Sequence, residues 1–155
     1  LWGLIAPSTG SNNVIVTTSG MLGTEEVNAA AVTYNGVHQT VAWGTPGKIA
    51  TDAVTSTTIT ITDGSAGDMV IDCVGWYNQA ITVGASQTKR VENDNTSARD
   101  SHYMSEEPGG ASIAMSWSWS ASENPGQIAV NVFQSGAPST ALREIIGGGI
   151  IQVIR

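Results

Sequence analysis

The chain has 155 residues and a net charge of −7, from 13 acidic and 6 basic side chains, and only 12% of its residues are charged, about half the usual share in soluble domains. That balance excludes a nucleic-acid binder that works by neutralising phosphates. Val and Ile number 14 each against 4 Leu, and Ser plus Thr come to 33; β-branched side chains lose freedom in helices and pack well on pleated sheets, so the composition predicts an all-β domain. No stretch reaches the ~20 apolar residues of a membrane span. Cys73 is the one cysteine, which leaves no intramolecular disulfide and no CxxC site.

In chain order, short alternating runs are separated by turn residues, the pattern of a sandwich or barrel. Asn13–Ser19 reads as a strand, followed by Val27–Tyr34, which ends at the turn dipeptide Asn35-Gly36. Gly44–Gly47 is a turn, and Thr57–Thr62 is a clean alternating strand stopped by Asp63-Gly64. Asp68–Tyr77 is nearly continuous in apolar residues, as a central strand buried on both faces should be. Strands are expected around Thr82–Gly84 and Gln87–Val91, a polar loop over Glu92–Asp100, and a short strand at His102–Ser105. Ser112–Ser120 places Ile113, Met115, Trp117 and Trp119 on one face and serines on the other. The turn Asn124-Pro125-Gly126 then leads into Gln127–Phe133, so these two strands are expected to form a hairpin. Ser135–Thr140 has the composition of a linker. Ile145–Ile154 is a β-prone tail, with a short helical turn expected at Thr140–Glu144. The expected fold is a two-sheet, jelly-roll-like β-sandwich of eight to ten short strands over residues 1–134, with a linker and tail over 135–155.

Several segments occur in an order that resembles a poorly characterised domain of bacterial surface, secreted and phage structural proteins. The matching positions are Trp2, Gly3 and Leu4; Tyr34, Gly36, Val37, Gln39 and Thr40; Ala66 to Val70; Gly84, Ala85, Gln87, Thr88 and Arg90; and Met115, Ser116 and Trp117. The resemblance covers residues 1–134. It implies a jelly-roll-like sandwich at a cell surface, in a secreted protein or in a virion, and it implies no catalytic residue. Members of that family carry strands before the Trp segment, whereas here the chain opens on Leu1-Trp2-Gly3 without Met, as a processed or partial product would. A sandwich short of its first strands exposes unpaired backbone groups. The tail is the expected filler, with Ile145, Ile146, Ile150, Ile151, Val153 and Ile154 as its interface side chains, in its own chain or a neighbour's.

Catalytic chemistry finds little support. His38 and His102 sit in no HxH, HExxH or Cys/His pattern, and no GxSxG elbow occurs. Glu25-Glu26 and Glu106-Glu107 are adjacent pairs, which point to opposite faces of a strand and so cannot straddle a glycosidic bond. Glu92, Asn93, Asp94, Asn95 and Asp100 offer oxygens of the kind calcium takes, but without the EF-hand spacing; a solvated loop is the reading and calcium its alternative. No other cofactor is expected. Five Trp against one Phe leave a glycan-binding alternative, with Trp43, beside Gly44 and Pro46, and Trp119 as the possible ligand-binding residues. The expected function is a non-enzymatic structural module of an extracellular filament, adhesin or virion that contacts copies of itself or neighbouring subunits; the alternative is a carbohydrate-binding module.

Overall fold

The computed structural model describes residues 1, 3–5, 13–17, 19, 29–76, 80–93 and 101–136. Eight strands follow one another: β1 Gly47–Ala50, β2 Val54–Ile61, β3 Met69–Trp76, β4 Ile81–Val83, β5 Thr88–Asn93, β6 Ser101–Pro108, β7 Ile113–Glu123 and β8 Gly126–Val132. They form a five-stranded sheet, in the order β1-β8-β3-β6-β5, and a three-stranded sheet, β2-β7-β4. Every pairing is antiparallel. The described residues contain no helix, and so none long and apolar enough to cross a membrane.

The pairing order has a simple logic. The first strand pairs with the last, the second with the last but one, and the third with the sixth. A ribbon folded at its middle and rolled up produces these pairs, which is the jelly-roll wrap. Here β5 stays on the five-stranded sheet beside β6, while β4 closes the smaller one.

Two expected strands form no ladder. Among the described residues of Asn13–Ser19 none is paired, and Val14, Ile15 and Val16 are 74%, 81% and 55% exposed. Ala29 to Tyr34 is likewise irregular; its Tyr34 packs on the Ile71, Met104 and Val130 cluster, so this segment meets the face of a sheet through its side chains and forgoes backbone pairing. One strand was not expected: β1 follows directly on the Gly44–Gly47 turn and pairs with β8. Others differ in length: β6 runs to Pro108, well past the expected Ser105, and β7 runs to Glu123. The expected helical turn and the tail lie outside the described residues.

The expected hairpin across Asn124-Pro125-Gly126 is also corrected. β7 belongs to the three-stranded sheet and β8 to the five-stranded one, so this turn carries the chain from one sheet to the other. A second crossing lies beside it, where Thr51, Asp52 and Ala53 connect β1 to β2. The two are stapled together: Ala53 N–H donates to Asn124 Oδ1 at 2.9 Å, and Thr51 N–H donates to the Pro125 carbonyl at 3.3 Å. Ala53 adopts φ 55°, a left-handed conformation that a non-glycine residue holds only where its surroundings impose it. Pro125 is fully buried and has no N–H to leave unpaired.

Between the sheets lie two apolar clusters. Ile59, Ile61, Val70, Met115 and Ala129 form one; Val74, Tyr103, Trp117 and Trp119 form the other. The predicted alternation of β7 holds, with Met115, Trp117 and Trp119 buried and Ser118 and Ser120 exposed. Central strand β3 is buried on both faces, as its apolar run requires: Val70, Asp72 and Val74 have one parity and Ile71 the other. The far side of the five-stranded sheet carries the third cluster, Ile71, Met104 and Val130.

Several buried polar atoms are left without a partner, the Thr57 hydroxyl among them. Thr57, 3% exposed and opposite Trp117 in the ladder, has a buried hydroxyl that makes no hydrogen bond. Thr57→Val keeps the shape and removes the desolvation penalty, so denaturant unfolding should show a gain of about 1 kcal/mol. A loss of stability would mean that the hydroxyl has a partner after all.

Candidate functional site

Three features carry chemistry. The first is a polar network inside the sandwich. Asp72 sits on the inner face of β3 with no exposed surface. Its Oδ1 accepts from the Ser105 hydroxyl at 2.5 Å and the Ser105 N–H at 3.2 Å, and its Oδ2 accepts from Trp117 Nε1 at 2.6 Å and Gln127 Nε2 at 2.8 Å. Ser105 Oγ in turn accepts from Gln87 Nε2 at 2.7 Å, and Gln87 Oε1 accepts the Ser116 N–H at 2.7 Å. Burial raises the Asp72 carboxyl above its ordinary value of 3.8, against the lowering effect of these donors. Both carboxylate oxygens of Asp72 are engaged within the protein, and the network ties β3, β6, β7 and β8 together in the closed interior; the Gln127 Oε1 is its one buried atom without a partner.

The second feature is a cleft on the opposite face of the five-stranded sheet, with a volume of about 380 Å³, lined by Val32, Thr33, Tyr34, Met69, Arg90 and Glu106. Glu106 is 7% exposed. Its Oε2 accepts the Tyr34 hydroxyl at 2.8 Å, and its Oε1 is paired with the Arg90 guanidinium. Arg90 shares the cleft face with Thr88, which lies opposite Glu106 in the β5·β6 ladder, and it sits at the register shift between Lys89 and Val91. The bond from Arg90 holds the Glu106 carboxyl below the usual range, with help from Tyr34 and against desolvation. Burial, then Glu106, pushes the Tyr34 phenol well above its ordinary value. At ordinary pH the cleft therefore holds a carboxylate, a guanidinium and a neutral phenol.

The third is the apolar run Val14–Val16, which lies exposed with no ladder partner among the described residues.

The residues singled out from the sequence fare unequally. Trp43 is 43% exposed and is bridged to Val132. Its ring is partly covered by Gly3, where a Cβ would come within 2.7 Å of Cζ3; only glycine permits so close an approach. Trp119 is 8% exposed and donates Nε1–H to the Val54 carbonyl at 2.9 Å, so it packs between the sheets and is no ligand platform. The six tail residues Ile145, Ile146, Ile150, Ile151, Val153 and Ile154 lie outside the described residues, as do Asp94, Asn95 and Asp100 of the acidic loop. Among the described residues no group of three or more His, Cys, Asp or Glu is placed to hold a metal ion. The Nδ1 of His38 accepts the Val41 N–H at 3.0 Å and orders its own loop. The Glu106-Glu107 pair alternates along β6 as adjacent strand residues must.

No family model, no curated protein and no solved structure matches this chain. The cleft itself was not foreseen. Tyr34 and Arg90 stood out in the sequence only as resemblance positions and Glu106 only as half of an adjacent pair, and a contact across 72 residues of chain leaves no local signal.

Proposed function

We propose that this chain is a non-enzymatic assembly module of an extracellular filament, adhesin or virion, and that it joins copies of itself by strand pairing. The observation that carries this reading is the exposure of Val14, Ile15 and Val16 at 74%, 81% and 55%. Three consecutive β-branched residues have strong strand propensity, and full burial of each such side chain is worth about 1.5–3 kcal/mol. An acceptor of matching chemistry is available. β2 is an edge strand of eight residues, VTSTTITI, with no charge and no proline, and so lacks the devices that normally keep edges from pairing.

The partner in this reading is a second copy, whose β2 edge receives Val14–Val16 as an added strand. Donor and acceptor are different surfaces, so the contact is head-to-tail and propagates into a ring or a filament.

Light scattering over a range of protein concentrations tests it, with wild type beside Ile15→Lys. Because Ile15 is exposed, the substitution should change the stability of the monomer by no more than about 0.5 kcal/mol, while its charge blocks burial in an interface. The expected result is a wild-type mass that grows with concentration and an Ile15→Lys chain that stays monomeric. A wild-type chain that is monomeric throughout, or a variant that associates equally well, overturns the proposal.

A further inference from the structure

The cleft on the outer face of the five-stranded sheet has no part in strand pairing, and its chemistry narrows what it can take. At about 380 Å³ it stands near the lower end of small-molecule sites, roughly 300–1,000 Å³, a size that suits a sugar ring. Val32, Met69 and the ring of Tyr34 supply apolar wall; Thr33, Arg90 and Glu106 supply polar groups. Arg90 carries five N–H donors in a rigid fork, and its side chain is 49% exposed at the mouth. Glu106 has about four lone-pair positions, and Tyr34 and Arg90 engage one on each oxygen. The site therefore sets fixed donors beside a fixed acceptor.

Each simple ligand class but one meets a penalty here. An anion meets the Glu106 carboxylate in a chain of net charge −7, and a cation meets Arg90. An apolar ligand would strip water from both charges and return no hydrogen bonds. Adjacent ring hydroxyls both donate and accept, which matches a donor fork set beside an acceptor. We propose that this cleft binds a neutral sugar ring through two neighbouring hydroxyls, one accepting from Arg90 and one donating to Glu106, with Tyr34 and Met69 against the ring's apolar edge. This site is independent of Val14–Val16 and of any assembly through them.

Amide-resolved NMR titration of the full chain tests the proposal, using glucose, galactose, mannose and N-acetylglucosamine separately, with glucuronate as the anionic control. At least one neutral sugar should produce saturable shifts centred on Thr33, Tyr34, Arg90 and Glu106 at millimolar concentration. Arg90→Gln, at a half-exposed position and with the dispersed amide spectrum of the folded chain retained, should weaken that binding about tenfold or more. Glu106→Gln, which retains shape and one acceptor oxygen, should weaken it less than Glu106→Ala. The proposal is overturned by the absence of saturable shifts with all four sugars, by shifts centred on Trp43, by equal binding in Arg90→Gln, or by tighter binding of glucuronate than of every neutral sugar.

Discussion

Asp72→Ala should destabilise the protein by about 3–5 kcal/mol in denaturant unfolding. The loss does not come from a favourable charge, since burial of this carboxyl is itself unfavourable. It comes from what remains: the Trp117 indole N–H and the hydroxyl and N–H of Ser105 lose this acceptor inside a closed sandwich, and the Gln127 amide keeps only the Met115 carbonyl. Trp117→Phe, which removes one of these donors, should cost less, and the double variant should fall short of the sum of the two by about 0.5–3 kcal/mol because both act on the same bond. Strict additivity would show that the indole N–H does not depend on Asp72.

The same carboxyl has a signature in pH. Its folded value lies above 3.8, so between the two values the folded state binds more protons than the unfolded state. Unfolding free energy then falls as pH rises through that window, and the contribution of this group is most favourable below it. Asp72→Asn removes the titration. The margin of wild type over Asp72→Asn should therefore be widest near pH 4 or below and narrow as pH increases, and a margin that widens would contradict a raised value. Glu106 works in the opposite sense. Its folded value is lowered from 4.5, so its stabilising contribution is present above 4.5 and is lost as pH falls through the lower value.

Asp68→Ala is the second large expected effect, a loss of about 2–3 kcal/mol. Asp68 is 4% exposed at the start of β3. Its Oδ2 accepts from the Ser65 N–H at 2.9 Å and Asn131 Nδ2 at 3.1 Å, and its Oδ1 accepts the Gln134 N–H at 2.8 Å. Its backbone carbonyl also accepts the Gly109 N–H at 2.8 Å. A Cβ on Gly109 would come within 2.7 Å of the Asp68 Cβ, so the loop after β6 is seated directly on this residue. One carboxylate thus holds the turn before β3 and the exit of β8. The expected readout, besides the lower midpoint, is faster hydrogen exchange at the Ser65 and Gln134 amides with β7 amides unaffected. Uniform acceleration over the whole chain would instead indicate global destabilisation alone.

Local periodicity made several elements legible. β3 and β7 follow from runs whose side chains leave few alternatives: nine residues alternating Ile, Met and Trp with Ser can bury one face only as a strand. Among the described residues of Asn13–Ser19 and Val27–Tyr34 the same signal produced no ladder, because alternation measures the fitness of a segment to be a strand, whereas a ladder also requires a partner in register. The Trp readings divide for a related reason. Trp119 lies in an alternating strand and its burial follows from parity, but the covering of Trp43 depends on Gly3, forty residues earlier in the chain.

The sequence alone determined that this protein is all-β, that β3 is central and that one face of β7 is core, because composition and short-range alternation act within a single strand. Only the tertiary structure decided that Asn124-Pro125-Gly126 crosses between sheets where a hairpin was expected. It alone decided that Asp72 finds four donors on three neighbouring strands, and that Tyr34, Arg90 and Glu106 share one cleft. Which edge a strand joins, and which distant groups satisfy a buried carboxylate, are settled by competition among partners from the whole chain, and no window of neighbouring residues contains that competition.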